Sequence, residues 1–161
     1  MKFVGIDPGS VSCGISIIES LGSETRLVAE KTIKLKGNMA LRLMDLRAQI
    51  LKFLDGHKIE EGSIESIFAG INAQSLIKLS QARGVAMEAL AASDIKVFEY
   101  APRDIKKAVS VTGSAPKEQL RMIVSSILGV DDKAFSSADS ADAAAIALCH
   151  SFKRNFQEFV Q

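Results

Sequence analysis

The chain has 161 residues, of which 47% are hydrophobic and 24% charged, and its formal net charge is +1. This length predicts a single globular domain over residues 1–161, and the balanced charge excludes an acidic disordered tail. The net charge also lacks the strong basic excess typical of nucleic-acid-binding proteins, so evidence for such a partner has to come from where the charges lie.

The sequence also argues against a membrane protein, a secreted protein, and a site built on thiols or histidines. The longest apolar run, residues 143–149, is far shorter than a membrane span, and Asp7 interrupts the apolar stretch that a secretory signal would need. Cys13 and Cys149 match no metal-binding spacing, and the chain has two histidines in total. We therefore expect reduced thiols, a cytoplasmic protein without membrane contact, and chemistry carried by carboxylates.

The first third of the chain is predicted to form strands. Residues 2–7, 13–19 and 27–33 are short apolar or alternating runs separated by polar turns. Three successive strands joined by short turns indicate an antiparallel meander.

The pattern then changes to helical spacing. Apolar residues recur every three or four positions from 39 to 54, which predicts a helix capped by Asn38 and ended by Gly56. The later elements are strands at 64–68 and 96–100 and helices at 74–92, 103–109, 117–128 and 137–152. This order predicts an α/β fold with a mixed sheet flanked by helices. Residues 129–137 are expected to form a flexible loop, and the tail 155–161 is expected to fray.

Two acidic residues belong to predicted strands. Asp7 ends the first strand and precedes Pro8 and Gly9, so its carboxylate would project beyond the sheet edge; taken alone, an Asp that caps a turn is the more common explanation. Glu65 lies in a run without strict alternation, which leaves its burial ambiguous, and taken alone an edge-strand glutamate facing water is the better explanation.

A second acidic pair lies at the start of the last helix. Asp139 and Asp142 are three residues apart and would share one helical face, within an alanine-rich stretch that packs close to its neighbours. Acidic capping at a helix N-terminus is the alternative. A divalent cation would relieve the repulsion between the two carboxylates.

Four carboxylates without histidine or thiolate suit Mg²⁺, or Mn²⁺ as a substitute, because these ions prefer oxygen ligands. Two such ions can activate water and stabilise the leaving oxygen in phosphodiester hydrolysis.

Basic residues concentrate between positions 102 and 121. Backbone N–H groups at a helix start together with lysines could hold phosphates, although a solvated helix face is the usual explanation of such a run. Lys78 and Arg83 could extend this surface, and Phe68 could stack on a base unless it is simply buried. The basic residues of the segment are Arg103, Lys106, Lys107, Lys117 and Arg121.

Taken together, these pieces resemble the RuvC family of Holliday junction endonucleases. The resemblance rests on five blocks in the order of the family, and KLSQARGVA and FEYAP are the most specific of them. The blocks are GIDPGS at 5–10, IESIF at 64–68 with Asn72, KLSQARGVA at 78–86, FEYAP at 98–102 and DSADA at 139–143.

The resemblance implies a ribonuclease H-like fold with a five-stranded mixed sheet. It also implies a homodimer that cuts two opposed strands of a four-way DNA junction during recombination and repair, and that works with the RuvA–RuvB branch-migration complex. The catalytic carboxylates of the family correspond to Asp7, Glu65, Asp139 and Asp142, which would hold two Mg²⁺ ions. Its DNA-contacting lysines correspond to Lys106 and Lys117, and its junction-side aromatic residue corresponds to Phe68.

The sequence departs from the pattern of the family at three places. Residues 13–16 read Cys-Gly-Ile-Ser where a Thr-Gly-Tyr-Gly-like stretch is usual, Val111 occupies a common glycine position, and Ile71 replaces a residue that is often polar or basic. These changes affect the expected junction affinity and site preference and leave the proposed metal ligands intact.

Three other functions remain open at this point. An actin-like ATP-binding protein shares the Asp7–Ser10 pattern but needs two such domains and a longer chain. A non-catalytic junction-binding protein would use the carboxylates only as caps. A related nuclease could act on RNA–DNA hybrids.

Overall fold

The computed structural model of the chain describes residues 1–22, 24–67, 72–109 and 117–159, with the backbone alone at 117–118 and 157–159. Five strands and five α-helices form in it. In chain order they are β1 (Lys2–Asp7), β2 (Ser12–Leu21), β3 (Glu24–Lys34), α1 (Met39–Leu54), β4 (Glu61–Glu65), α2 (Ala73–Ala91), β5 (Lys96–Tyr100), α3 (Pro102–Val109), α4 (Lys117–Ile127), a short 3-10 helix (Asp132–Ala134) and α5 (Ala138–Phe159).

The strands form one mixed sheet in the order β3-β2-β1-β4-β5. β1, β2 and β3 pair antiparallel, as the meander predicted, and β4 and β5 run parallel to β1. The register pairs Ile6 of β1 with Ile64 of β4, so the next residues, Asp7 and Glu65, leave the sheet at the same edge. The expected five-stranded mixed sheet flanked by helices is confirmed.

Alternation along the strands divides the core between the two faces of the sheet. Val4, Ile6 and Ile64 pack on the face covered by α1 and α2. Phe3 and Ile18 pack on the opposite face, which is covered by α3, α4 and α5. Asp7 follows the parity of Phe3 and therefore faces α5.

Helix α5 lies unusually close to the sheet because the strand residues beneath it are small. A Cβ atom at Gly5 would lie 2.0 Å from the carbonyl oxygen of Ala143, and one at Gly14 would lie 1.8 Å from that of Asp139. The Ser16 hydroxyl donates to the carbonyl oxygen of Ser140 at 2.6 Å. These contacts determine where the first turns of α5 lie relative to β1 and β2.

The predicted boundary of the fourth strand was wrong. The strand was expected at 64–68, but β4 spans Glu61–Glu65, and residues 66–67 follow it. Glu61 and Gly62 are poor strand formers, and pairing with β1 on one side and β5 on the other draws them into the sheet nonetheless. Glu65 thus becomes the last residue of its strand, level with Asp7.

Part of the segment 129–137 and the first residues of the tail, 155–159, have regular secondary structure. The segment includes the 3-10 helix, and Phe135 is buried against the core. Helix α5 continues past position 152, to Phe159. Of the helices that the structure describes, none is long and apolar enough to cross a membrane.

Candidate active site

Three of the predicted carboxylates line one cavity at the sheet edge. Asp7 comes from the end of β1, Glu65 from the end of β4 and Asp142 from the second turn of α5, and the cavity has a volume of about 330 Å³. Lys106 of α3 lies on its wall. The remaining wall is largely apolar and consists of Pro102, Ile105, Leu120 and Ile146. Residues far apart in sequence therefore meet where both parallel strands end.

The orientation of Glu65 follows from the sheet. Ile64 packs on the α1–α2 face, so Glu61, Ser63 and Glu65 share the other face. Glu61 confirms this parity, because its carboxylate lies 2.8 Å from His150 of α5. The sequence pattern left the burial of Glu65 ambiguous. The pairing of β4 shows that its side chain lies on the face of the sheet that α5 covers.

Asp139 and Asp142 lie in different surroundings. Residues three apart differ by about 60° around a helix axis, and here that difference places only Asp142 in the cavity lining. Asp139 lies beside β2 and β3, where the Ser12 hydroxyl donates to its Oδ2. Lys34 Nζ lies 3.9 Å from the same oxygen and 3.0 Å from Ser12 Oγ. Asp139 is thus held outside the cavity lining by two residues that the sequence did not single out.

The predicted basic residues are divided among three places. Lys106 lines the cavity, whereas the neighbouring Lys107 lines a separate groove with Phe152 and Phe156. Arg121 donates to the carbonyl oxygens of Asp132 and Phe135, so its guanidinium fastens the 3-10 helix to α4. This internal role competes with the expected DNA contact of Arg121.

Two predicted contact residues fall outside what the structure describes. Phe68, and with it the departure at Ile71, lies in the gap 68–71, and the departure at Val111 lies in the gap 110–116. Lys117 begins α4, with its side chain also outside the described residues. Arg103 is exposed on the first turn of α3.

Neither cysteine has the character of a nucleophile. Both are buried. Burial raises the pKa of the Cys13 thiol to about 12, and the carboxylates of Asp7 and Asp139 add to the rise. Burial also raises the pKa of Cys149, to about 11. Since the thiolate is the reactive form, both side chains act as small core residues.

A buried polar cluster that the sequence did not reveal lies on the α5 face of the sheet. His150 is 1% exposed and lies between Tyr100 Oη, 2.7 Å from its Nδ1, and Glu61 Oε2, 2.8 Å from its Nε2. Because a carboxylate can only accept, Nε2 carries the proton of the neutral ring and Nδ1 accepts from the tyrosine hydroxyl. The Phe98 ring lies 4.5 Å from the imidazole, centroid to centroid.

This histidine predicts a pH dependence of stability. Burial lowers the pKa of His150 below its usual 6.5, while the bond to Glu61 opposes the shift in part. The unfolded chain therefore takes up a proton first as the pH falls, so the free energy of unfolding decreases below pH 6.5 and levels off once the folded ring is also charged. Urea unfolding between pH 5 and 8 should show this slope, and His150→Gln should flatten it. An equal slope in the variant would contradict the assignment.

Comparisons with known proteins agree with this arrangement. The family model described as crossover junction endodeoxyribonuclease RuvC matches residues 3–150. The protein of that name from Chromohalobacter salexigens is 42% identical over 152 residues, covering 94% of this chain and 81% of the relative. The one from Agrobacterium fabrum is 37% identical over 156 residues, with 96% and 91% covered.

A solved structure extends the likeness to three dimensions. Thermus thermophilus RuvC in complex with a Holliday junction substrate superposes with a TM-score of 0.85 at 27% identity, covering 97% of this chain and 96% of that one. The resemblance carried by the five sequence blocks, and the ribonuclease H-like fold that it implied, are confirmed. The chain belongs to the RuvC family of crossover junction endodeoxyribonucleases.

Proposed function

We propose that this protein is a metal-dependent endonuclease that resolves four-way DNA junctions by paired nicks during recombination and repair. The observation that carries the proposal is the meeting of Asp7, Glu65 and Asp142 in one cavity with Lys106 on its wall. Membership of a nuclease family and the likeness to a relative solved with junction DNA support it.

The donor set fits a hard divalent cation. Asp7, Glu65 and Asp142 offer only carboxylate oxygens, which Mg²⁺ and Mn²⁺ prefer over nitrogen or sulfur. Among the described residues these side chains do not yet form a closed set of three ligands, so the fit is one of donor chemistry, and binding an ion would draw the carboxylates together. When bound there, one or two Mg²⁺ ions would activate water and stabilise the leaving oxygen.

The residues of the chain would divide the remaining work. Asp7, Glu65 and Asp142 would hold the ions, and Asp139 would contribute from its place beside β2 and β3, where Ser12 and Lys34 now hold it. The apolar side chains of Ile105, Leu120 and Ile146 on the wall would lower the local dielectric constant and so strengthen electrostatic interactions inside the cavity. Lys106 would bind a DNA phosphate beside these carboxylates.

The salt dependence of binding tests the role of Lys106. We expect Lys106→Ala to weaken junction binding and to reduce the slope of log affinity against log salt by about 1, because one phosphate contact is lost. Lys107→Ala should have a smaller effect, since Lys107 lines a different groove. Lys52→Ala, at the far end of α1, serves as the charge-matched control. Equal slopes for all four proteins would exclude the phosphate contact.

Cleavage of a synthetic mobile junction tests the proposed function. Purified protein with Mg²⁺ should produce symmetric nicks in two opposed strands, and an RNA–DNA hybrid should remain intact. Tight junction binding without cutting in Mg²⁺ or Mn²⁺ would instead indicate a binding protein, and cutting confined to the hybrid would indicate a related nuclease. ATP binding would instead support the alternative of an actin-like ATP-binding protein.

The assembly and location follow from the same proposal. Paired nicks on opposed strands require two active sites, so we propose a homodimer, visible by sedimentation at micromolar concentration. A functional link to a RuvA–RuvB branch-migration complex and a cytoplasmic location rest on the family resemblance.

A further inference from the structure

Arg83 of α2 connects three elements behind the cavity. Its side chain is 15% exposed. Nε donates to the backbone carbonyl oxygen of Glu65 at 2.9 Å, and Nη2 forms an ion pair with the carboxylate of Glu99 on β5. One planar guanidinium thus joins α2 to the ends of β4 and β5.

The position of these contacts along β4 matters for the cavity. The pairing of β4 with β1 extends to Ile64, and Glu65 is the last residue of the strand. After it, Ser66 bonds the carbonyl oxygen of Tyr100 through its N–H at 2.9 Å and its hydroxyl at 3.1 Å. The bond from Arg83 therefore restrains the backbone of Glu65 at the point where the chain leaves the sheet.

We propose that Arg83 is a positioning residue that sets the direction of the Glu65 carboxylate into the cavity. The inference rests on the proposed function, because it assigns a purpose to Glu65 as a cation ligand. By holding the carbonyl of Glu65, the guanidinium limits rotation of that peptide unit. The side chain on the same residue is then presented to the cavity in one direction, which lowers the cost of ordering it around a cation.

The sequence suggested a different role for Arg83, as an extension of a DNA-binding surface. The structure favours the internal role on two grounds. The side chain is largely buried, and its donors are directed at a carbonyl and a carboxylate of the protein itself. A lysine could not replace it, because an ammonium is a compact point charge that lacks the planar fork.

The test uses Arg83→Lys, Arg83→Gln and a matched control. Arg47 forms a similar pair with Glu88 of α2, at 2.7 and 3.1 Å, without contact to the sheet edge. Arg47→Gln therefore removes an Arg–Glu pair that joins α1 to α2 and leaves Glu65 untouched. Urea unfolding of all variants confirms that each is folded before its activity is compared.

Three measurements follow. Mn²⁺ binding without DNA, measured by electron paramagnetic resonance, should weaken about 10- to 100-fold in both Arg83 variants. The kcat for junction cleavage should fall to a similar extent, while KM and the salt slope of junction binding in EDTA stay those of the parent. Arg47→Gln should match the parent in all three. Glu99→Gln, which leaves the bond to Glu65 in place, should shift Mn²⁺ affinity in the same direction but less.

Two outcomes would overturn the inference. If Arg83→Lys binds Mn²⁺ and cleaves like the parent, the fork geometry is not required. If Arg83→Gln lowers the salt slope by about 1 and Glu99→Gln tightens DNA binding, Arg83 is a phosphate contact. If the parent protein itself fails to bind Mn²⁺ or to cut the junction, the proposed function fails. That result can be told apart from the two outcomes above, which concern the variants.

Discussion

Asp7→Asn should slow junction cleavage by about 10³-fold while junction binding and folding are retained. Asp7 ends β1 beside Glu65 and shares the cavity with Asp142. The amide has nearly the same shape as the carboxylate, but it lacks the negative charge that a divalent cation needs. A bound metal ion stabilises the transition state by several kcal/mol. If about 4 kcal/mol of that stabilisation is lost, the rate decreases about 10³-fold.

The measurement is the rate of symmetric nicking under single-turnover conditions, with junction affinity determined separately in EDTA. Asp94→Asn is the matched control. Asp94 is exposed, lies before β5 at the opposite end of the sheet, and has a φ of 58°, which asparagine also adopts readily. We expect this control to cut at the parental rate. Cleavage by Asp7→Asn within a few-fold of the parent would remove Asp7 from the catalytic set.

Gly5→Ala and Gly14→Ala should each cost about 3 kcal/mol or more of unfolding free energy. The added methyl groups would meet backbone atoms of α5, the carbonyl oxygens of Ala143 and Asp139, at 2.0 and 1.8 Å. Backbone atoms cannot rotate away as a side chain can, so the whole helix has to shift. Because α5 carries Asp139 and Asp142, we also expect weaker Mn²⁺ binding in whatever fraction folds.

Gly84→Ala should leave the free energy of unfolding unchanged or raise it. Gly84 lies within α2, and a Cβ atom there would have no neighbour within 4 Å. Alanine is the better helix former by about 1 kcal/mol, so this variant should be as stable as the parent or more so. Urea unfolding midpoints compare the three. The close-approach explanation would be wrong if Gly5→Ala or Gly14→Ala lost no more stability than Gly84→Ala.

The elements of this fold were largely predictable because they depend on local periodicity. The helix α1 was predicted to the residue from its apolar spacing and its cap, and the Asn38 side chain accepts from the N–H of Leu41 as such a cap does. The β4 boundary was missed because Glu61 and Gly62 become strand residues only through their partners in the sheet. Strand pairing is a contact over long sequence distance, and local patterns carry little of it.

The types of residue in the site were predictable from the sequence, and their arrangement was less so. Carboxylates at the ends of β1 and near the start of α5 indicated oxygen ligands for a cation, and three of the four line the cavity. The spacing of Asp139 and Asp142 could not reveal that Ser12 and Lys34, from other strands, hold Asp139 aside. Nor could it reveal that Arg121 bonds two carbonyls of a loop that was expected to be flexible.

By itself, the sequence determined the class of this protein: an α/β chain with five recognisable blocks, acidic residues of the right type, and a cluster of bases within a nearly neutral total charge. These properties depend on residue identity and on spacing over a few turns. Only the tertiary structure decided which face Glu65 takes, which lysine meets the cavity, and that Arg83 and His150 are internal. Those outcomes follow from strand register and from the close approach of α5 over Gly5 and Gly14, which bring together residues more than a hundred positions apart.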